Sequence, residues 1–336
     1  MNCIRVMHRL TLVICFIYGI NIIPSIYSLG FIKSKYRTEQ LNYNNNNNNN
    51  NNNYNNKFLT LDQLPKQLDY RKYNNNTINY ASIDRNEFQP YYCGACWAFA
   101  ATSALSDRLK ILRKNAFPEI NLSPQVILNC DKVDLGCHGG DFGTAYEFIY
   151  QNGGIPDETC QIYEARGHDT GKSCNPIDKC RQCDDDDNIC KARTTYKKWQ
   201  ISSHGLVNGT LAMMNEIYRN GPIACAVAEV PDLMHYKGGI IHDKTGRTSL
   251  DHAISIVGWG ESAEDGTKYW IVRNQWVRKL FYFSKLKIII ILSNTSLIHI
   301  RYVSHRVLGG VKMDMLVLFV ELIILVSNLI VHGQYQ

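Results

Sequence analysis

Three motifs that would indicate other chemistries are missing from the 336-residue sequence: a phosphate-binding nucleotide loop, an EF-hand calcium loop and an HExxH zinc pair. We therefore expect no cofactor and no bound metal. A basic surface is missing as well. The formal net charge of +6 comes from the two ends, since residues 64–276 contain 23 Lys and Arg against 26 Asp and Glu. Nucleic acid is therefore not an expected partner.

Long apolar runs are scarce at the start of the chain. Basic residues precede the run Leu10–Ile20, which is too short to span a bilayer and is typical of a secretory signal peptide over residues 1–28. This predicts a protein of the secretory pathway, lysosomal or extracellular. Ten of the twelve cysteines lie between Cys93 and Cys225, a density that favours disulfides in an oxidising compartment.

Residues 29–63 contain ten consecutive asparagines over positions 44–53. Such a segment has too little apolar surface to offset the entropy of ordering it. We interpret residues 29–63 as an Asn-rich disordered pro-segment, and we place the globular domain at residues 64–276.

The periodicity of this domain changes along its length. Helices are predicted over residues 96–112, around 143–152 and over Leu211–Tyr218, each ended by polar or glycine signals. After Pro222 come short β-rich runs separated by glycine and aspartate clusters. The pattern predicts an α+β protein with two lobes and a substrate cleft between them.

The stretch CGACWAF, residues 93–99, places the Cys96 thiol at the start of the first predicted helix. A helix N-terminus stabilises a thiolate through its dipole and its free N–H groups. A zinc half-site or a redox pair formed by Cys93 and Cys96 is the alternative that spacing alone leaves open. Trp97 favours the catalytic interpretation, because it completes the signature C-G-[SA]-C-[WY].

Together with LSPQVILNC, DHAISIVGWG and KYWIVRNQW, this stretch resembles the papain family of cysteine peptidases. The opening LPKQLDYR, followed by INYASIDRN, is similar to the cathepsin X (cathepsin Z) branch of that family. The resemblance covers residues 64–276. It implies a two-lobed papain-like fold, with a helical N-terminal lobe, a β-rich C-terminal lobe and the active site in the cleft.

The resemblance implies a cysteine-type peptidase that acts on peptide or protein substrates. Cys96 would be the nucleophile, as a thiolate paired with the imidazolium of its base His252. Asn274 would orient that imidazole, with Trp276 covering it. Protein inhibitors are further expected partners, and a monomer is expected. A catalytically inactive homologue that only binds peptides or inhibitors remains the alternative.

The segment before the nucleophile departs from the family pattern. Where the cathepsin X branch has the oxyanion glutamine and then a histidine that anchors the substrate's C-terminal carboxylate, this sequence has Glu87 and Phe88. An ionised carboxylate accepts hydrogen bonds and cannot donate them. Gln89 is the second candidate for the oxyanion role, and we expect carboxypeptidase action to be weakened or lost.

The remaining implied roles concern substrate contacts and cross-links. Substrate-binding positions would be Gly139, Gly140, Trp276 and Asp251. The resemblance suggests four disulfides, leaving Cys225 unpaired: Cys93 with Cys137, Cys130 with Cys174, Cys160 with Cys180, and Cys183 with Cys190.

Residues 277–336 do not continue the pattern, since glycine and a second tryptophan should follow Trp276. We interpret this tail as translated intron or a misassembled gene model, which leaves the domain C-terminally incomplete. The alternative is a membrane tail over Met315–Val331, in which Glu321 near the centre would cost roughly 2.5–3.5 kcal/mol on insertion. In the absence of such a tail no membrane contact is expected.

Overall fold

The computed structural model describes residues 58–184, 189–236 and 238–276, together with the backbone of three later strands. The predicted signal peptide and the asparagine run lie outside the described residues, as does most of the tail, including all of Met315–Val331 except Ile324–Asn328. Within the described part, every helix is too short or too polar to cross a membrane.

The central helix is α1, Cys96–Leu112, and its bounds match the prediction. Its side chains are buried on all sides from Cys96 to Leu109, as expected for a helix enclosed by other elements. The other helices are α2 (Pro124–Cys130), α3 (Phe142–Gln151), α4 (Pro176–Lys179), α5 (Thr210–Asn220) and α6 (Pro231–Met234). Thus α3 and α5 lie within two residues of their predicted ends.

Helix α2 was not predicted, although its sequence contains a clear start signal. The Ser123 hydroxyl accepts a hydrogen bond from the Val126 N–H, and Pro124 occupies the first helical position. Both residue types are favoured at a helix N-terminus. The serine hydroxyl accepts a hydrogen bond from a free backbone N–H, and proline has no backbone N–H that needs a partner.

The strands of the described residues are β1 (Leu68–Asp69), β2 (Arg181–Cys183), β3 (Cys190–Ala192), β4 (Ser203–Val207), β5 (Ile223–Val227), β6 (His252–Glu261), β7 (Lys268–Arg273), β8 (Lys287–Leu292), β9 (Ile298–Val303) and β10 (Ile324–Asn328). The β-rich lobe is built on one antiparallel sheet with strand order β1-β6-β7-β8-β9, and β5 also pairs with β6. The short pairs β2–β3 and β4–β10 lie outside this sheet.

Strand β5 separates the two larger hydrophobic cores of the described residues. Its small residues Ala224 and Ala226 pack with α1, whereas Cys225 and Val227 pack into the core of the β-rich lobe. This alternation follows from the two-residue period of a strand, and alanine lets the helix approach the sheet closely. The fold is therefore α+β with two lobes, which confirms the predicted class.

Pairing between β6 and β7 positions two of the predicted site residues. Ser255 is opposite Arg273, so the start of β6 and the end of β7 lie at the same end of the sheet. His252 is the first residue of β6, and Asn274 directly follows β7. The sheet thus brings together two residues that are 22 positions apart in the chain.

Candidate active site

Cys96 is the first residue of α1. It is 1% exposed, and its thiol forms no disulfide. The backbone N–H groups of Trp97 and Ala253, the second of which directly follows His252, lower the pKa of this thiol. Burial, followed by the nearby Glu87 carboxyl, raises the pKa of the thiol well above its ordinary value. This direction is opposite to the one that the helix position alone predicts, because the enclosed site penalises a charged sulfur.

The His252 imidazole is held from two sides. Its Nε2 atom lies 2.8 Å from Asn274 Oδ1, and its ring stacks on Trp276 with 4.3 Å between centroids. Asn274 Oδ1 also accepts the Gln275 backbone N–H at 2.9 Å, which fixes the orientation of the amide. Because Oδ1 is an acceptor, Nε2 bears the hydrogen and Nδ1 is left able to accept a proton.

Burial also governs the protonation of this imidazole. It lowers the pKa of His252 to about 4, although the hydrogen bond from Nε2 to Asn274 acts in the opposite direction. The closed site therefore favours an uncharged thiol together with an uncharged imidazole. Such a pair reacts by moving the thiol proton to the imidazole as the sulfur attacks.

Of the two predicted oxyanion residues, Glu87 lies at the thiol, whereas the Gln89 side chain is exposed. Glu87 is 2% exposed, and its Oε1 atom accepts a hydrogen bond from Trp276 Nε1 at 2.5 Å. Its backbone is held by Gln275 O at 3.0 Å and by the Tyr163 hydroxyl at 2.6 Å. Burial raises the pKa of the Glu87 carboxyl well above its ordinary value.

Phe88 belongs to a continuous row of stacked rings that ends on the imidazole. Its ring lies 5.3 Å from Tyr92 and 6.0 Å from Trp276, and Trp276 in turn stacks on His252. We call Tyr92, Phe88 and Trp276 the aromatic row. It lies beside the group that would protonate a leaving amine, so it borders the leaving-group side of the site.

The other predicted substrate-binding residues have structural contacts. A Cβ atom on Gly140 would lie 2.6 Å from the Trp97 ring, so the loop packs directly on the residue that follows Cys96. Gly139 has φ +108°, a conformation that side chains disfavour, and its carbonyl accepts the Leu135 N–H. The Asp251 carboxylate pairs with Arg247 and accepts the Glu229 N–H.

Two residues that contribute to the site electrostatics were not predicted. Glu229, which is 3% exposed, raises the pKa values of both Cys96 and Glu87 through its negative charge. Arg273, next to Asn274, forms a buried ion pair with Asp107 of α1, with 2.5 Å between Nη2 and Oδ2. A charged residue at the end of an apolar strand was the only sequence signal for Arg273, and Glu229 had none.

Among the residues that the structure describes there are four disulfides, and they join the pairs that the resemblance implied: Cys93–Cys137, Cys130–Cys174, Cys160–Cys180 and Cys183–Cys190. Cys225 is free and buried. Because Cys93 is bonded to Cys137, it cannot form a redox pair with Cys96 or supply a thiolate to zinc. The zinc or redox interpretation of this pair is therefore wrong.

Comparison with known proteins extends the likeness over most of the described chain. Residues 64–283 match the family model described as "Papain family cysteine protease". Cathepsin Z from Onchocerca volvulus is 42% identical over 215 residues, which cover 64% of this chain and 67% of that protein. Cathepsin K from Mus musculus is 30% identical over 216 residues, covering 64% and 56%.

The chain thus spans between about half and two thirds of the length of these relatives. Among solved structures, the digestive procathepsin L2 proteinase from the larval midgut of Tenebrio molitor superimposes with a TM-score of 0.54 at 23% identity. The superposition covers 75% of this chain and 69% of that one. At this identity the likeness supports the fold alone.

Proposed function

The chain belongs to the papain family of cysteine proteases, and from that premise we propose that it hydrolyses peptide bonds with Cys96 as nucleophile and His252 as base. The observation that carries the proposal is the position of the free Cys96 thiol. It lies at the start of a buried helix, where the backbone N–H of Ala253, the residue after His252, acts on its pKa. The His252 imidazole itself is oriented by Asn274 and covered by Trp276.

The proposed reaction is acyl transfer in two stages. The thiol proton moves to His252 Nδ1 as the sulfur attacks the peptide carbonyl, and His252 then gives that proton to the leaving amine when the C–N bond breaks. Water hydrolyses the resulting thioester with His252 as base. Asn274 keeps the hydrogen of the neutral imidazole on Nε2. The Nδ1 atom is therefore unprotonated and can accept the thiol proton.

A thiol-directed epoxide probe, used together with a peptide hydrolysis assay, tests this proposal. We expect the probe to label Cys96 and the Cys96→Ala variant to lose both labelling and hydrolysis. The matched control is Cys225→Ala, which removes the other free buried thiol and should keep both. Labelling without hydrolysis would support the inactive binding homologue, and a wild type that is not labelled would refute the nucleophile.

We also propose that removal of C-terminal residues is weakened here. The resembled branch uses a histidine to bind the substrate's carboxylate, and the aromatic ring of Phe88, stacked between Tyr92 and Trp276, offers that carboxylate no charge. The test compares one peptide as its free acid and as its C-terminal amide. Similar kcat/KM values are expected, and a strong preference for the free acid would overturn the proposal.

The disulfides support a proposal about the cellular compartment in which the protein acts. Four disulfides within residues 93–190 suit an oxidising environment, so we propose action on peptides or proteins in the secretory pathway, in a lysosome or outside the cell. Secretion of the full chain into the medium of expressing cells, with the four disulfides intact by mass spectrometry, is the expected result. Retention in the cytosol would contradict it.

A further inference from the structure

We propose that Glu87 serves this site as an uncharged carboxylic acid, whose O–H donates a hydrogen bond to the oxyanion of the tetrahedral intermediate. The inference rests on the proposed peptidase function and adds a catalytic residue to it. An ionised carboxylate at this place would repel the developing negative charge, whereas a carboxylic acid supplies the donor that the reaction needs.

The contacts of the two carboxyl oxygens fit the acid form. Oε1 accepts the Trp276 Nε1–H and thus behaves as the carbonyl oxygen of the acid. Oε2 is buried and has no hydrogen-bond partner among the residues that the structure describes. If Oε2 carries the proton, Oε1 is the acceptor that Trp276 already occupies, and the Oε2–H is a donor that remains available to a ligand. An ionised carboxylate would leave the buried Oε2 atom unsatisfied, which is unfavourable.

The surroundings of Glu87 favour its proton. From α1 it faces the Cys96 thiol, from the segment after β5 the Glu229 carboxylate, and from the chain after β7 the uncharged Trp276 ring and Gln275 side chain. Burial and then Glu229 raise the pKa of Glu87. The hydrogen bond from Trp276 is the largest effect that opposes this rise, and the Ala95 N–H and the Gln275 side chain act in the same direction as Trp276.

Two further groups that border Glu87 have no charge to oppose its protonation. The Tyr163 hydroxyl donates to the Glu87 carbonyl, and burial holds the tyrosine in its neutral form by raising its pKa. The imidazole behind Trp276 is neutral as well, since burial lowers the pKa of His252.

The role requires no transfer of the Glu87 proton. As the S–C bond forms, the π electron pair of the carbonyl moves onto its oxygen. The Glu87 O–H then donates a hydrogen bond to this oxyanion. When the C–N bond breaks, the pair returns to form the thioester carbonyl and the leaving amine takes its proton from His252. Glu87 keeps its own proton throughout, and the Cys96 backbone N–H is the second donor expected at the oxyanion.

The first test compares pH profiles of kcat/KM for the wild type, Glu87→Gln and a matched control, Glu264→Gln, which alters an exposed glutamate with no role in the site. Since the protonated form is the active one, wild-type activity falls as pH rises through the Glu87 pKa. An amide donates at every pH, so Glu87→Gln should move this alkaline limb to higher pH. Superimposable limbs in wild type and Glu87→Gln would overturn the inference.

A second measurement uses a peptide aldehyde, whose adduct with the thiol places an oxygen where the oxyanion forms. Above the Glu87 pKa, wild-type affinity should fall by about tenfold per pH unit relative to Glu87→Gln. A constant ratio between the two would also overturn the role of Glu87.

Alkylation of Cys96 by iodoacetamide, which forms no oxyanion, separates the two proposals. If Cys96 is alkylated in both the wild type and Glu87→Gln while their kcat/KM pH profiles superimpose, the role of Glu87 alone is refuted. If Cys96 is alkylated in neither protein, the peptidase proposal itself is refuted.

Discussion

Asn274 holds the His252 imidazole through one oxygen that receives two hydrogen bonds. Oδ1 accepts both His252 Nε2 and the Gln275 N–H, so the amide cannot turn without losing a backbone contact. Trp276 covers the same imidazole by stacking and is itself held by Glu87. Orientation of His252 therefore depends on three consecutive residues that follow strand β7.

Replacing Asn274 with alanine should lower kcat by about 10- to 100-fold with little change in KM. A hydrogen bond to a group that becomes charged contributes about 1.5–3 kcal/mol, and each 1.36 kcal/mol is a factor of ten in rate. Steady-state kinetics on a peptide substrate measures this. Asn175→Ala, at an exposed asparagine, is the matched control and should leave kcat unchanged. An unchanged kcat in Asn274→Ala would remove the orienting role.

At this scale the sequence was informative for residues whose signal is local. Cys96 and Trp97 stand in one short motif, and Asn274 and Trp276 stand in another. The state of Glu87 could not be predicted, because its burial depends on Tyr163 and Trp276, which are 76 and 189 positions away. The same holds for Gln89, whose exposure no neighbouring residue signals.

The loop between α2 and α3 is an element whose stability should depend on pH. Asp134 accepts the Asp141 N–H at 2.9 Å and the Thr144 hydroxyl, and it lies beside Asp131. Burial, followed by the charge of Asp131, raises the pKa of Asp134 to about 8. The loop also contains Gly140, which packs on Trp97, so its order affects the start of α1.

We expect the free energy of unfolding to decrease as pH rises from about 4 to about 8. In this window the folded Asp134 keeps a proton that the unfolded chain has lost, so folding is favoured at lower pH, by at most about 1.4 kcal/mol per pH unit for one proton. Urea denaturation at several pH values measures the slope. Asp134→Asn should flatten it and Asp178→Asn, at a site removed from this loop, should not. An equal slope in Asp134→Asn would contradict the assignment.

Element bounds were predictable where periodicity was long. Helix α1 has eleven apolar residues among seventeen and its ends agree with the prediction, whereas the seven-residue α2 was missed despite its Ser123-Pro124 start. The pairing of β1 with β6 had no sequence signal, since two residues are too few for an alternating pattern. Gly258 permits that contact, because a Cβ there would lie 2.0 Å from Leu68 O.

At the scale of the whole molecule, two consecutive residues of α1 tie the lobes together. Asp107 pairs with Arg273 at the end of β7, and Arg108 pairs with Glu216 of α5 at 3.0 Å, and all four side chains are buried. Burial raises the pKa of Asp107 despite the attraction of Arg273, which shows how costly the desolvation of this carboxylate is.

Breaking the Asp107–Arg273 pair should destabilise the protein strongly. Asp107→Leu or Arg273→Met alone should each lower the free energy of unfolding by about 3–5 kcal/mol, because one buried charge is left without its partner. The double variant should recover most of this loss. Lys191→Met, which breaks an exposed pair with Asp184, is the control and should cost at most about 1 kcal/mol.

Chemical denaturation of the four variants checks this prediction. Single variants that lose no more stability than Lys191→Met would show that the buried pair does not hold the lobes together. A double variant as unstable as both single variants combined would show that the two side chains act independently.

The position of this ion pair restricts how the two lobes can move relative to one another. Asp107 and Cys96 are on the same helix, about 16 Å apart along its axis, and Arg273 precedes Asn274 directly in the chain. Separation of the lobes would therefore have to break a buried ion pair before it moved the Cys96 sulfur away from the His252 imidazole. For the proposed peptidase, we expect loop rearrangement, and not separation of the lobes, to accompany the binding of a large substrate.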